Sequence, residues 1–144
     1  MIENSELEFV DTCILLYAYD KSDKNKNSQA VSLIAGLWKS GRGALSIQVL
    51  QELYVNVTKK VPNPLTASEA AHIVFDLGQW KLHRPDLENV LEAIDIHQRN
   101  QISFWDAMIV CSAKNLGCKT IWTEDLNQNQ HFEGIKVQNP FSPK

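Results

Sequence analysis

The chain has 144 residues, 44% of them hydrophobic, and a formal net charge of -3 at pH 7. This length and composition predict one domain over residues 1–144, with a core large enough to fold without disulfides or a structural metal. The acidic balance excludes a broad basic surface for nucleic acid, and no apolar run reaches the roughly 20 residues of a membrane span. The three cysteines form no CxxC pair, so we expect reduced thiols and a cytoplasmic protein.

The first predicted strand, Leu7–Val10, is followed by the acidic residue Asp11. The apolar run Thr12–Tyr19 then predicts a helix packed on a sheet. In an open parallel sheet, ligands bind beyond the carboxyl ends of the strands, where Asp11 would lie. Asp is also a common helix N-cap, so at this point a ligand-binding role and a capping role are equally supported.

The middle of the chain alternates helices with short strands. The predicted elements, in chain order, are a charged loop at 20–28, a helix at Gln29–Lys39, a strand at Ala44–Ser46, a helix at Ile47–Lys60, a helix at Thr66–Leu77 opened by a Thr66–Glu69 capping box, and a strand at Trp80–His83. In the first of these helices we expect Val31, Ile34, Ala35 and Trp38 on one apolar face. The second helix is apolar nearly all round, which is typical of a buried helix and makes its acid, Glu52, a weak functional candidate rather than an ordinary surface acid.

The end of the chain carries two further acidic positions. The predicted elements are a helix from Leu87 to Arg99, a helix headed by Ser103 and ending at Leu116, a strand at Lys119–Trp122 and a last short strand after Gly134. Asp106 shares its helical azimuth with Ile109, Val110 and Ala113, so its carboxylate would lie on an apolar stripe. A buried acid needs a cation or a partner, although Ser103 followed by Asp106 is also a capping box that needs no function.

Alternating strands and helices predict an α/β fold in which a central parallel sheet lies between two layers of helices. Asp11 and Asp125 would project from strand ends, and Glu52 and Asp106 would approach the same edge. Carboxylates meeting there would repel one another unless a divalent cation lay among them, and Mg²⁺ or Mn²⁺ suits such oxygen ligands. Thr123 and Ser46 would orient a carboxylate or cap a helix. Glu124 would point to the other side of its strand end and is only an alternative ligand.

Four separated motifs carry a resemblance to a known family. They are, in chain order, Asp11-Thr12-x-Ile14-Leu15-Leu16-Tyr17-Ala18, Ser46 to Glu52, Ser103-Phe104-Trp105-Asp106-Ala107 and Thr123-Glu124-Asp125-Leu126. Together they resemble the PIN domain, notably the VapC-type toxins of bacterial toxin–antitoxin pairs. Two positions depart from the family pattern, because Cys13 stands where many relatives have Asn and Asn129 lies near a position that is often Gly.

The resemblance implies a three-layer α/β/α sandwich and a magnesium-dependent endoribonuclease with an antitoxin partner. Its implied acidic residues are Asp11, Glu52, Asp106 and Asp125, which would hold Mg²⁺ or Mn²⁺. The alternatives are a catalytically inactive PIN-like module that binds RNA or protein, and a DNA-directed nuclease of the same fold. A receiver domain is disfavoured because Asp11 stands alone, and a haloacid-type phosphatase because Cys13 interrupts the Asp-x-Asp motif.

Two further expectations concern partners. An acidic chain favours RNA that is single-stranded or structured over a long duplex, with local phosphate contacts from lysines. The candidate lysines are Lys21, Lys24, Lys26, Lys59 and Lys60. The apolar segment Ile14–Tyr19, with Trp38 and the Tyr54 face, is compatible with a homodimer, with a groove for an antitoxin helix, or simply with core packing.

Overall fold

A six-stranded sheet in the order β3-β2-β1-β4-β6-β5 forms the centre of the fold. The computed structural model describes residues 6–126 and 130–141. The strands are β1 (Glu8–Val10), β2 (Gly43–Ser46), β3 (Lys81–His83), β4 (Thr120–Trp122), β5 (His131–Phe132) and β6 (Ile135–Gln138). The helices are α1 (Thr12–Tyr17), α2 (Lys24–Ser40), α3 (Ile47–Lys59), α4 (Ala67–Leu77), α5 (Leu87–Asn100) and α6 (Phe104–Asn115). Helices α1 to α4 contact one another on one side and α5 pairs with α6 on the other, which confirms the three-layer α/β/α prediction.

The sheet is parallel except at one edge. Phe9 in the central strand is paired with Ala44 of β2 and with Ile121 of β4, both in parallel register. Strand β5 instead runs antiparallel to β6 and was not predicted. The two strands are joined by Glu133 and Gly134, both with positive φ, which is the backbone of a tight two-residue hairpin. A two-residue strand is also too short to show a hydrophobic period.

The buried strands explain the apolar runs in the sequence. Phe9, Val10, Leu45 and Ile121 are fully buried, because helices cover both faces of the sheet. On the α6 side, all seven residues from Ala107 to Ala113 are buried. The predicted stripe of Ile109, Val110 and Ala113 is therefore confirmed as core.

Helix α2 differs from its prediction in both its start and its buried face. It begins at Lys24 rather than Gln29, because the Asp23 side chain caps it by accepting a hydrogen bond from the Lys26 N–H at 3.1 Å. Its buried residues are Ala30, Ile34 and Leu37. The predicted face was therefore wrong at Val31, Ala35 and Trp38, which are exposed.

The other predicted helices and strands are confirmed to within two residues, including the Thr66–Glu69 capping box. Helix α3 was expected to be buried all round, which was wrong, because Tyr54 and Val55 are 39% and 44% exposed. In the part of the chain that the structure describes, no helix has both the length and the apolar character needed to cross a bilayer. Cys13, Cys111 and Cys118 are all free thiols.

Candidate functional site

The four acids singled out in the sequence line one cleft of about 230 Å³. Asp11 follows β1, Asp125 lies three residues beyond β4, Glu52 is on α3 directly after β2, and Asp106 is in the first turn of α6. Strands β1, β2 and β4 are parallel neighbours, so their carboxyl ends open at the same edge. The remaining lining residues are Thr12, Cys13, Leu16, Gln48, Asn56, Trp105 and Ile109. This topology explains why Asp11, Glu52 and Asp125 lie at one edge, and the roles of all four acids as metal ligands stay predictions.

Asp11 is both a helix cap and a cleft residue. It is only 7% exposed. Its Oδ1 accepts a hydrogen bond from the Thr12 N–H at 2.7 Å, and its Oδ2 accepts one from the Thr123 hydroxyl at 2.8 Å. Each carboxylate oxygen has two lone pairs, so each can still accept one further contact. The capping role and a ligand role are therefore compatible.

Burial and neighbouring negative charges raise the pKa values of Asp11 and Asp125. Burial raises the pKa of Asp11 to about 7, the bonds from Thr123 and Thr12 oppose that rise, and the charges of Asp125 and Glu52 add to it. Partial desolvation in the cleft, together with the charges of Asp106 and Glu124, also raises the pKa of Asp125. The ionised forms are thus disfavoured in the metal-free cleft, which is the condition that a bound cation relieves.

Glu52 and Asp106 reach the cleft in different ways. The Thr12 hydroxyl donates to Glu52 Oε1 at 2.9 Å, which links the start of α1 to α3. The Asp106 N–H donates to Ser103 Oγ at 3.0 Å, so Ser103 caps α6 as predicted. The return bond of a capping box is absent, and among the described residues the Asp106 carboxylate has no hydrogen-bond partner. The backbone of Asp106 therefore takes part in the helix cap, while its carboxylate lines the cleft and takes no part in the cap.

The Thr123 hydroxyl organises the end of β4. Thr123 is fully buried and accepts a hydrogen bond from the Asp125 N–H at 3.1 Å while donating to Asp11. Ser46 caps α3 by accepting from the Val49 N–H at 3.3 Å. Both orienting roles were predicted from the sequence. The bond from Thr12 to Glu52 was not, because nothing in the sequence placed the Thr12 hydroxyl next to α3.

Glu124 lies outside the cleft, as predicted. Its Oε1 accepts a hydrogen bond from the Tyr17 hydroxyl at 3.0 Å, and its Oε2 forms an ion pair with Lys26. The carboxylate of Glu124 raises the pKa of Lys26. Lys26 is therefore engaged within the protein, unlike a lysine that is free to contact phosphate. Asn129 falls outside the described residues.

Cys13 lines the cleft, although the sequence analysis did not name it as a candidate ligand. The sulfur of Cys13 and carboxylate oxygens of Asp11 and Asp125 form a group whose ligand atoms all lie within 4.8 Å of one another. The Cys13 sulfur is also 3.8 Å from Thr123 Oγ1. The signal in the sequence was the spacing, since Cys13 follows Asp11 by two residues at the head of a helix.

Comparisons with known proteins identify the same fold. The sequence profile of the PIN domain family matches residues 9–131. No curated protein sequence matches the chain at a significant level. Several solved structures do match in three dimensions.

Three of these structures come from different bacteria. One is the sarcin–ricin-loop-cleaving toxin VapC20 of Mycobacterium tuberculosis, with a TM-score of 0.61 and 17% identity over 82% of this chain and 89% of that chain. A toxin–antitoxin complex from Klebsiella pneumoniae has a TM-score of 0.69 and 15% identity over 94% of this chain and 99% of that chain. DNA-bound VapBC from Salmonella typhimurium has a TM-score of 0.65 and 18% identity over 94% and 98%. At these identities the likeness establishes the shared fold.

Proposed function

The chain belongs to the PIN domain family, and from the cleft of this chain we propose that it is a Mg²⁺- or Mn²⁺-dependent endoribonuclease formed by one domain. PIN domains are generally metal-dependent nucleases. The observation that carries the proposal is that Asp11, Glu52, Asp106 and Asp125 line one cleft at the carboxyl edge of the sheet. Carboxylate oxygens of Asp11 and Asp125 lie within 4.8 Å of one another. The four acids come from four separate segments of the chain, and no shared hydrogen-bond network among the carboxylates themselves explains their approach.

The donor set fits a hard divalent cation. Carboxylates and water are the ligands that Mg²⁺ and Mn²⁺ prefer. Burial, with a further contribution from like charges, raises the pKa values of Asp11 and Asp125, and a bound cation would offset both effects. Asp11 and Asp106 would bind directly, with Glu52 and Asp125 binding directly or through water. When bound, the cation would supply a more acidic water and stabilise charge on the phosphate.

The protein's own side chains hold this arrangement in place. Thr123 fixes Asp11 Oδ2 and the Asp125 backbone, while Thr12 holds Glu52. Hydrogen bonds to a metal-binding side chain fix its orientation, and removing the bonding partner commonly lowers metal affinity about tenfold or more. None of these groups is a nucleophile with a paired base, so the reaction is hydrolysis by water without a covalent enzyme intermediate.

An exposed tryptophan favours an unpaired substrate. Trp105 lines the cleft and is 63% exposed, an unusual position for an indole in a folded domain. Aromatic side chains stack on splayed bases of single-stranded or loop RNA, and a duplex offers no such base. With a net charge of -3 the protein has little field to attract a long duplex. Structured or single-stranded RNA is therefore the proposed substrate class.

We further propose that the protein is the toxin of a type II pair, acts in the cytoplasm, and binds an antitoxin protein. The Klebsiella neighbour is a toxin–antitoxin complex, and the Salmonella neighbour is VapBC bound to DNA. Helices α3 and α4 present an exposed apolar groove in which Phe75 is 70% exposed and Tyr54 39%. An amphipathic antitoxin segment is the partner that we propose for such a groove. A homodimer is the alternative, and the mass of the purified chain in solution separates the two.

The decisive experiment compares two variants in one helix turn. Purified wild type should cleave RNA with Mg²⁺ or Mn²⁺ and lose all cleavage in EDTA. Asp106→Asn should remove cleavage while leaving the fold intact, because it keeps the side-chain volume and removes a ligand charge. Ser103→Ala is the matched control, since it removes only the helix cap and costs about 1 kcal/mol of stability.

The possible outcomes separate the alternatives. Full cleavage by a folded Asp106→Asn protein would contradict the proposed site. RNA binding by wild type without cleavage under any metal condition would indicate an inactive binding module. Metal-dependent cleavage of DNA in preference to RNA would indicate a DNA-directed nuclease of the same fold.

A further inference from the structure

The cleft of this chain contains a sulfur atom among its oxygen ligands. Cys13 is half-buried in the first turn of α1 and lines the cleft beside the acids. Its Sγ, an oxygen of Asp11 and an oxygen of Asp125 lie within 4.8 Å of one another. The cleft therefore offers a soft sulfur beside hard carboxylate oxygens, and these two kinds of ligand prefer different metal ions.

The three ligand atoms lie within 4.8 Å of one another. At the tetrahedral angles that zinc prefers, bonds of about 2.3 Å to sulfur and about 2.0 to 2.2 Å to carboxylate oxygen place two ligand atoms about 3.3 to 3.7 Å apart. The exposed Asp125 side chain can rotate to bring its oxygen to that distance. Asp11 is held by Thr123 and Thr12 but keeps a free lone pair on each oxygen.

We propose that Cys13, Asp11 and Asp125 bind a thiophilic divalent cation of the zinc class in the cleft. Thiolate favours zinc-like ions, whereas Mg²⁺ and Mn²⁺ favour carboxylate and water, so this ligand set separates the two classes of ion. The thiol proton leaves to solvent when the sulfur binds. The proposal rests on the function proposed above in one respect, because the zinc-class ion would compete with Mg²⁺ for Asp11 and Asp125 and so inhibit cleavage.

The other cysteines provide internal controls. Cys111 is buried and its thiol donates to Glu92 Oε1 at 3.1 Å, while Cys118 is buried at 4% exposure. Neither lines the cleft. Within residues 6–126 and 130–141, no second group of three such side chains meets the same spacing. A sulfur-bound ion should therefore depend on Cys13 alone.

The test uses Cd²⁺ as the probe, because cadmium bound to thiolate gives an ultraviolet charge-transfer band. Titration of the full, metal-free chain should produce a band that saturates at one equivalent and is displaced by Zn²⁺ but not by the same concentration of Mg²⁺. Cys13→Ser and Cys13→Asn should both abolish the band, and Asp125→Asn should weaken Cd²⁺ binding tenfold or more. Cys111→Ser, which can keep the bond to Glu92, and Cys118→Ala should retain the band.

The readouts distinguish this inference from the proposed function. A wild type without the band, or a band that persists in Cys13→Ser, would overturn the thiophilic site even if the wild type cleaves RNA with Mg²⁺. A Cys13-dependent band in a protein that never cleaves RNA would support the metal site while refuting the nuclease. If the protein is a nuclease and also has the thiophilic site, Zn²⁺ should inhibit wild-type cleavage. The inhibiting concentration of Zn²⁺ should match the concentration that displaces Cd²⁺.

Discussion

Replacing Asp11 by asparagine should stabilise the metal-free protein above neutral pH. Burial raises the pKa of Asp11 to about 7 from an ordinary value of 3.8. Between these values the folded protein keeps the proton that the unfolded chain has released. The free energy of unfolding therefore falls as the pH rises through this range, and the loss is complete once the pH exceeds the folded pKa.

The size of the effect follows from the same pKa. Each pKa unit corresponds to about 1.4 kcal/mol, so ionised Asp11 costs the metal-free fold up to about 4 kcal/mol. Asparagine avoids that cost but must place an N–H against Thr123 Oγ1, which already accepts a bond from the Asp125 N–H. One impaired hydrogen bond costs about 1 kcal/mol. We expect Asp11→Asn to be about 3 kcal/mol more stable than wild type near pH 8, with no gain near pH 4.

Urea unfolding in EDTA, followed by tryptophan fluorescence, measures this difference at both pH values. The midpoint should shift with no change in the slope of free energy against urea, since the surface exposed on unfolding is the same. Asp95→Asn removes the same charge from an exposed position on α5 and controls for net charge. An Asp11→Asn protein less stable than wild type near pH 8, or a difference independent of pH, would refute the argument that a buried, unneutralised carboxylate destabilises this fold.

Three further predictions concern metal, packing and substrate. Mn²⁺ or Mg²⁺ should raise the melting temperature of wild type, because an ion at 100 times its Kd adds about 2.7 kcal/mol to the free energy of unfolding. The rise should be smaller in Asp11→Ala, and identical melting temperatures in EDTA and in Mn²⁺ would contradict a metal site. Gly43→Ala should cost about 1 to 3 kcal/mol in urea unfolding, because its Cβ would lie 2.4 Å from the Trp80 ring, whereas Gly36→Ala in α2 meets nothing within 4 Å and should gain up to about 1 kcal/mol. RNA binding by Asp106→Asn should weaken only gradually with salt, with a log–log slope of about -0.7 per phosphate contact, and a steep slope with equal binding of duplex DNA would favour a DNA-directed nuclease.

The positions of Asp11, Glu52 and Asp125 were predictable because they depend on the order of the strands in the sheet. Asp106 instead lies in the first turn of α6, which follows α5 and not a strand. A residue that follows a strand in a parallel sheet must emerge at the carboxyl edge, and β1, β2 and β4 are neighbours in the sheet. The sequence therefore needed to reveal only the strands and the order of the motifs. It did so through short apolar runs followed by Asp11, Ser46 and Thr123, each of which the structure places at a strand end.

The failed predictions depend on contacts between distant segments. Trp38 was assigned to the core from its spacing, yet it is 46% exposed and packs edge-on against Trp80 with ring centroids 5.4 Å apart. No local pattern encodes that contact. The predicted start of α2 was wrong for a local reason. Asp23 lies in a charged stretch that is typical of a loop, but its side chain caps the helix.

The ion pair between Lys26 and Glu124 keeps a fifth carboxylate out of the cleft. Glu124 is adjacent to Asp125, so without a partner it could turn into the cleft as a fifth carboxylate. Lys26 and the Tyr17 hydroxyl instead hold it on the outer side, and Lys26 lies over the Tyr17 and Phe141 rings at 5.0 and 5.4 Å from their centroids. A fifth acid in the cleft would add to the negative charge that, together with burial, raises the pKa values of Asp11 and Asp125. The pair therefore keeps the number of acids in the cleft at four, and of the residues Thr123 to Asp125 only Asp125 lines the cleft.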